Sequence, residues 1–188
     1  MISFQEYLAT QVKFVFPKIE TEIDSLLVCL LGKINTDSLI YTFGNGGSHA
    51  TSEHFSADLN LTLQRTGVSL RSICISSQIS TFTALSNDYS FEDSLELYLQ
   101  NFLKPDDVVI AFTASGNSVN ILRALKKSCG ITKHVFALTG FNGGEAKMIP
   151  GVTSIHIETP TGEYGIVENL QLSICHYIID QITSFKAE

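Results

Sequence analysis

The sequence predicts an α/β fold: a three-layer αβα sandwich on a five-stranded, mainly parallel sheet, with a helical extension at the N-terminus. Three observations carry this. Five short β-rich runs recur along the chain, and helix-patterned segments separate most of them. Such alternation requires crossover connections, hence parallel strands covered on both faces. The chain has 188 residues, 44% of them hydrophobic, enough for a full core and too apolar for disorder.

Residues 3–31 pattern as one helix or a broken pair, interrupted at Pro17. Their apolar positions (Phe4, Leu8, Val12, Val15, Phe16) suit packing against other chains. The strands are "SLIYTF" (38–43), "VSLRSICI" (68–75), "DVVIAFTA" (107–114), "KHVFALTG" (133–140) and "TSIHIET" (153–159). Helical patterns fill about 48–63, 78–87, 92–103 and 118–129, and a long helix spans 164–185. No linker, repeat or low-complexity segment divides the chain. One domain over 1–188 is expected, with a helical segment at 1–36 and an α/β core at 37–188.

A net charge of −7 argues against nucleic acid or an anionic membrane as the main partner. It does not exclude a small anion, which local donors can bind. The four cysteines (Cys29, Cys74, Cys129, Cys175) are widely spaced in apolar contexts, as for buried free thiols in a reducing compartment. The opening MISFQEYL lacks the pattern of a signal peptide, and no apolar run reaches membrane-spanning length. A cytoplasmic location is expected.

Two strand ends run into helices through small polar loops: Gly44-Asn45-Gly46-Gly47-Ser48 and Thr113-Ala114-Ser115-Gly116-Asn117-Ser118. Helix N-termini present unpaired N–H groups and a positive dipole end, and Ser and Thr hydroxyls add donors. A phosphate can therefore be held without lysine. Neither loop is a P-loop, and His49 spoils G-x-G-x-x-G in the first. Either loop alone also suits an ordinary βα turn with a serine cap. Two in one small α/β domain favour the anion.

Proton chemistry has its own candidates. His54 and Asp58 are spaced i, i+4 and share a helix face. That spacing suits two ligands of one metal, an acid/base pair, or a solvated helix contact. Glu168 and His176 sit in an otherwise apolar last helix, where burial demands partners. Eight residues separate them, roughly 12 Å along the axis and about 80° around it. Groups so placed do not easily share one small site on a single chain, but can serve related sites in an assembly. His49, His134 and His156 pattern as surface or capping residues.

"GNGGS…HF", "SNDYSFED", "FTASGNS" and "ALTGFNGG" occur in order, and over residues 40–183 the chain resembles sugar isomerase (SIS) domains, within them the phosphoheptose isomerases. The resemblance implies that Thr113, Ser115 and Ser118 hold the sugar phosphate, with Ala114 where a further hydroxyl is usual. It places Asn45, Gly46, Gly47 and Ser48 near the sugar, and Asn87 and Asp88 at the site's edge. The family pattern H-F-x-x-E in the first helix and Q-E…H in the last maps onto His54, Asp58, Glu168 and His176. These would be the ligands of one zinc ion per site. Asp58 would act as the base and His176 as the second proton-transfer group. Asp58 stands in place of Glu and reaches about 1 Å less far, a displacement worth up to ~10²-fold in rate. Glu168 stands in place of Gln and adds a negative charge that favours a divalent cation.

The function implied is aldose–ketose isomerisation of sedoheptulose 7-phosphate through an enediolate, in a homotetramer with sites at subunit interfaces. A non-catalytic SIS module, binding a phosphosugar or a replication initiator protein as a regulator, is the alternative. Relatives of that kind lack the late histidine, and His176 argues against it.

Overall fold

The computed structural model describes residues 3–14 and 19–184. Helix α1 (Phe4–Val12) opens on a capping box, in which the Ser3 hydroxyl accepts from the Glu6 amide and the Glu6 carboxylate from the Ser3 amide. Helix α2 (Glu20–Leu31) follows, so the N-terminal segment carries two helices. Val15, Phe16 and Pro17 lie outside the described residues.

Strands and helices then alternate: β1 (Leu39–Gly44), α3 (Gly47–Asn60), α4 (Thr62–Thr66), β2 (Arg71–Cys74), α5 (Ile79–Asp88), α6 (Phe91–Phe102), β3 (Val108–Thr113), α7 (Val119–Cys129), β4 (His134–Thr139), β5 (Val152–His156) and α8 (Tyr164–Ser184). The five strands form one sheet in the order β2-β1-β3-β4-β5, and every pairing is parallel. The helix expected over 48–63 breaks into α3 and α4. Asn60 ends the first piece by pairing its side-chain amide with the backbone N–H and C=O of Ser72 on the edge strand, at 2.8 and 3.0 Å.

Strand periodicity splits the core between two faces. Val108, Ile110 and Phe112 of β3 meet Phe55 and Leu59 of α3 and Ile174 and Ile178 of α8. Val109 and Ala111 meet Leu95 and Leu99 of α6 and Ile121 and Leu125 of α7. At the amino end of the sheet the buried Asp107 carboxylate accepts from the Leu39 and Lys104 amides, both at 2.8 Å. That satisfies a charge which would otherwise be costly to bury.

The strand order reverses direction between β1 and β3. In open α/β sheets a ligand crevice forms at that point, beyond the carboxyl ends of the strands. Both polar loops singled out in the sequence leave the sheet there.

Candidate active site

Asn45, Ser48, Thr113, Ala114, Ser115, Ser118 and Glu168 line a cleft of about 140 Å³ at this crevice, with Phe112, Ile121 and Tyr164. Ligand pockets for drug-sized molecules run to about 300 Å³ or more, so this cleft fits one end of a small molecule. Two helices point their N-termini at it. Neither α3 nor α7 has a side-chain cap. Their first amides are therefore left for an outside acceptor, and two positive dipole ends converge.

The hydroxyls are arranged to donate. Thr113 Oγ1 accepts from the Gly116 amide at 3.1 Å, and Ser115 Oγ accepts from the Asn117 amide at 3.2 Å. Each keeps its own proton for a further partner. The Ser118 hydroxyl caps nothing. Gly116 has φ +67°, and a Cβ there would fall on the carbonyl of Gly143. The loop after β4 clasps this one from behind: Gly140 donates to the Ala114 carbonyl and Ala146 to the Gly116 carbonyl, at 3.1 and 2.9 Å. The Glu145 amide donates to Asn117 Oδ1 at 3.0 Å.

On the β1 side, Gly46 takes φ 56° as the residue before α3. A Cβ on Gly47 would collide with the Glu168 carboxylate, so Glu168 lies against the start of α3. Asn87 and Asp88 lie at the exposed end of α5 and are not among the residues lining the cleft.

The remaining candidates gather farther down the helices. His54 Nε2 lies 3.1 Å from Asp58 Oδ2 and 3.3 Å from His176 Nε2. The ligand atoms of these three residues all lie within 4.8 Å of one another. Arg65 Nη2 faces the other oxygen of Asp58 at 3.5 Å. Beneath the cluster, burial and secondarily the Asp58 charge push the Cys175 thiol well above its ordinary range, so it stays neutral. Of the four expected ligands, one chain brings together His54, Asp58 and His176, and Glu168 stands apart from them, as the spacing along the last helix led one to expect. The reason is helix geometry, since eight residues of α8 carry it roughly 12 Å toward the sheet's carboxyl end.

The other histidines are half-buried, and each has a specific partner. His49 Nδ1 meets Ser76 Oγ at 2.9 Å, His134 Nδ1 meets Cys29 Sγ at 3.5 Å, and His156 Nδ1 meets Thr139 Oγ1 at 3.0 Å. Burial, ahead of the charges of neighbouring lysines, lowers the pKa of both His134 and His156. All four cysteines are free, with Cys74 and Cys175 buried and Cys29 and Cys129 half-buried.

Sequence reasoning missed Tyr164, which lines the cleft edge-on to Phe141 at 4.9 Å. It also missed Asn120. The available signal for Asn120 was an amide on the apolar face of α7, among Ile121, Ala124 and Leu125. A larger groove of about 450 Å³ lies between α2 and α8, lined mainly by Ile19, Ile23, Leu170 and Ile174. It lacks convergent donors and does not resemble an anion site.

The fold and the cleft define a doubly wound α/β protein with a crevice of small polar loops at its topological switch point. Residues 3–140 match the family model described as SIS domain. The phosphoheptose isomerase of Chromohalobacter salexigens is 30% identical over 166 residues, 88% of this chain and 82% of that protein. That of Colwellia psychrerythraea is 30% identical over 183 residues, 96% of this chain and 91% of that protein. The chain therefore belongs to the SIS-domain family and, within it, to the phosphoheptose isomerases. The solved phosphoheptose isomerase of Neisseria gonorrhoeae shares the fold, with a TM-score of 0.78 at 22% identity over 97% of this chain and all (100%) of that one. The Francisella tularensis structure does so too, with a TM-score of 0.79 at 22% identity over 96% of each chain. Among the described residues no helix is long and apolar enough to cross a membrane.

Proposed function

We propose that this chain isomerises sedoheptulose 7-phosphate to D-glycero-D-manno-heptose 7-phosphate by proton transfer through an enediolate. The observation that carries the reading is the meeting of the uncapped N-terminus of α7 with Thr113, Ser115 and Ser118 at the switch point. Such a cradle suits a phosphate dianion. Family membership supplies the reaction class.

The phosphate sits on the α7 side, held by backbone amides and the three hydroxyls. Glu168 occupies the α3 side, where its charge keeps the anion from binding in the reverse sense and its oxygens accept from sugar hydroxyls. The phosphate contributes binding energy in ground and transition states alike and fixes the position of the carbonyl end. Asp58 removes the proton next to the carbonyl, and His176 returns one at the neighbouring carbon. Arg65 keeps the Asp58 carboxylate oriented.

His54, Asp58 and His176 fit zinc. Ligand atoms 2.0–2.1 Å from a tetrahedral centre stand about 3.3 Å apart; His54 Nε2 lies 3.3 Å from His176 Nε2 and 3.1 Å from Asp58 Oδ2, and all three ligand atoms fall within 4.8 Å of one another. Three protein ligands leave a fourth position open, the arrangement of catalytic zinc. Bound there, zinc supplies Lewis-acid polarisation of a sugar oxygen. A carboxylate engaged as a ligand is a weaker base, so His176 and Asp58 divide their roles according to whether metal is present.

The roughly 12 Å between the Glu168 end and the His176 end of α8 supports sites completed by a second chain. We assign a homotetramer in which the cluster of one subunit faces the cleft of its neighbour. Phe4, Leu8 and Val12, which recur every fourth residue of α1 and are 75%, 48% and 70% exposed, are its apolar contacts. Light scattering at micromolar concentration is expected to give four chains, and a monomer refutes it. The activity is tested with purified protein and sedoheptulose 7-phosphate in deuterated water, with and without chelator. Binding with metal present but no exchange from pH 6 to 9 removes this substrate.

A further inference from the structure

Two asparagines tie the two ligand loops together. Asn45, in the loop after β1, donates from Nδ2 to Asn120 Oδ1 at 2.9 Å. Asn120, in the first turn of α7, donates from its own Nδ2 to Asn45 Oδ1 at 3.0 Å. The two bonds close a ring between primary amides, the side-chain counterpart of a two-bond base pair. Flipping one amide alone sets oxygen against oxygen and nitrogen against nitrogen, so the pair admits few orientations. Asn120 is 1% exposed and does not itself line the cleft, whereas Asn45 does.

An amide offers two N–H donors and two carbonyl lone pairs. Asn120 consumes one of each on Asn45 and leaves one of each. We propose that Asn120 is a positioning residue for the isomerase site. It holds Asn45, and with it the Gly44–Ser48 loop, in register with the phosphate loop, so that the remaining N–H and C=O of Asn45 meet a sugar hydroxyl. This rests on the phosphosugar reading above. Its physical basis is that β1 and β3 each deliver a loop to the crevice, and the sheet alone does not fix the angle between loops. A ligand that touches both loops needs that angle. A ligand held by the phosphate loop alone does not.

That difference gives the test. Calorimetric titrations compare wild type and Asn120→Ala with two probes, inorganic phosphate and sedoheptulose 7-phosphate. Leaving the inner half of Asn45 unpaired is expected to weaken the sugar phosphate on the order of ten-fold, with phosphate affinity unchanged within about two-fold. In turnover kcat falls along with kcat/KM, because the sugar is held by its phosphate but misaligned. Asn120→Leu roughly keeps the side-chain volume, removes both bonds to Asn45 and adds no charge beside the phosphate loop. It carries the same expectation and decides the matter should Asn120→Ala not fold. The double variant with Asn45→Ala is expected to be no worse than Asn45→Ala alone.

Equal losses for both probes mean general damage to α7 and overturn the assignment, as does no loss for either. If wild type binds both probes and the variants show either of these two patterns, the pairing role alone falls and the phosphosugar reading stands. If wild type binds neither, the phosphosugar reading falls, and this inference with it.

Discussion

Ser118 offers the sharpest separation of ligand binding from folding. It is the residue before the first turn of α7, where a serine hydroxyl ordinarily accepts from an amide of the helix. Replacing such a cap by alanine costs about 1 kcal/mol. Here the hydroxyl makes no such bond, so Ser118→Ala is expected to change stability by less than about 0.5 kcal/mol. Its effect should appear in binding instead. A hydrogen bond to a charged group is worth about 1.5–3 kcal/mol, hence roughly ten- to a hundred-fold in phosphate affinity. Ser115→Ala is the contrast. Its hydroxyl accepts from the Asn117 amide at 3.2 Å, so that variant loses affinity and also about 1 kcal/mol of stability. Urea denaturation and calorimetric titration with inorganic phosphate measure both quantities on the same samples. A Ser118→Ala protein destabilised by a full kcal/mol with unchanged affinity would refute the reasoning, because the hydroxyl would then be a cap and the cleft no phosphate site.

Other outcomes follow from the same geometry. His176→Ala and Asp58→Asn should each abolish solvent proton exchange while retaining most phosphate affinity, and elemental analysis of these and of His54→Ala reports which of the three hold metal. Gly116→Ala should lose about 2–4 kcal/mol, from a left-handed backbone cost of about 1–2 kcal/mol plus the displaced Gly143 carbonyl and its neighbouring hydrogen bonds. A melt unchanged from wild type would show the two loops to be loosely joined. His134 and His156 both have lowered folded pKa values, so below the ordinary value of about 6.5 the unfolded chain binds more protons. Stability should therefore fall as pH drops through that value and level off below the folded values. His156→Gln should flatten the slope in urea midpoints between pH 5 and 7.5, and an unaltered slope would exclude His156 as a source.

Element order, strand direction and the two polar loops were legible in the sequence because they depend on local pattern. The run from Val108 to Thr113 reads as a strand buried on both faces, and the Gly-Asn-Gly-Gly-Ser loop marks a strand end wherever the strand goes. The His54–Asp58 neighbourhood was legible too, since 3.6 residues per turn fixes it without any partner. Some boundaries were not. The break between α3 and α4 depends on Asn60 reaching the backbone of Ser72, a contact between segments that local propensity does not register. The partners of the half-buried His49, His134 and His156 were illegible for the same reason: they lie 17 to 105 residues away along the chain.

By itself the sequence determined the class of fold, the strand ends that carry small polar loops and the helices that bear the histidine and carboxylate candidates, all of which follow from periodicity and residue chemistry within a few turns. Only the tertiary structure decided how those groups divide. The order β2-β1-β3 brings the loops after β1 and β3 to one crevice, although about seventy residues separate them. The packing of α8 across α3 gives Glu168 to that crevice and His176 to His54 and Asp58. The Asn45–Asn120 pair exists only because both loops arrive there, 75 residues apart in sequence and 2.9 Å apart in space.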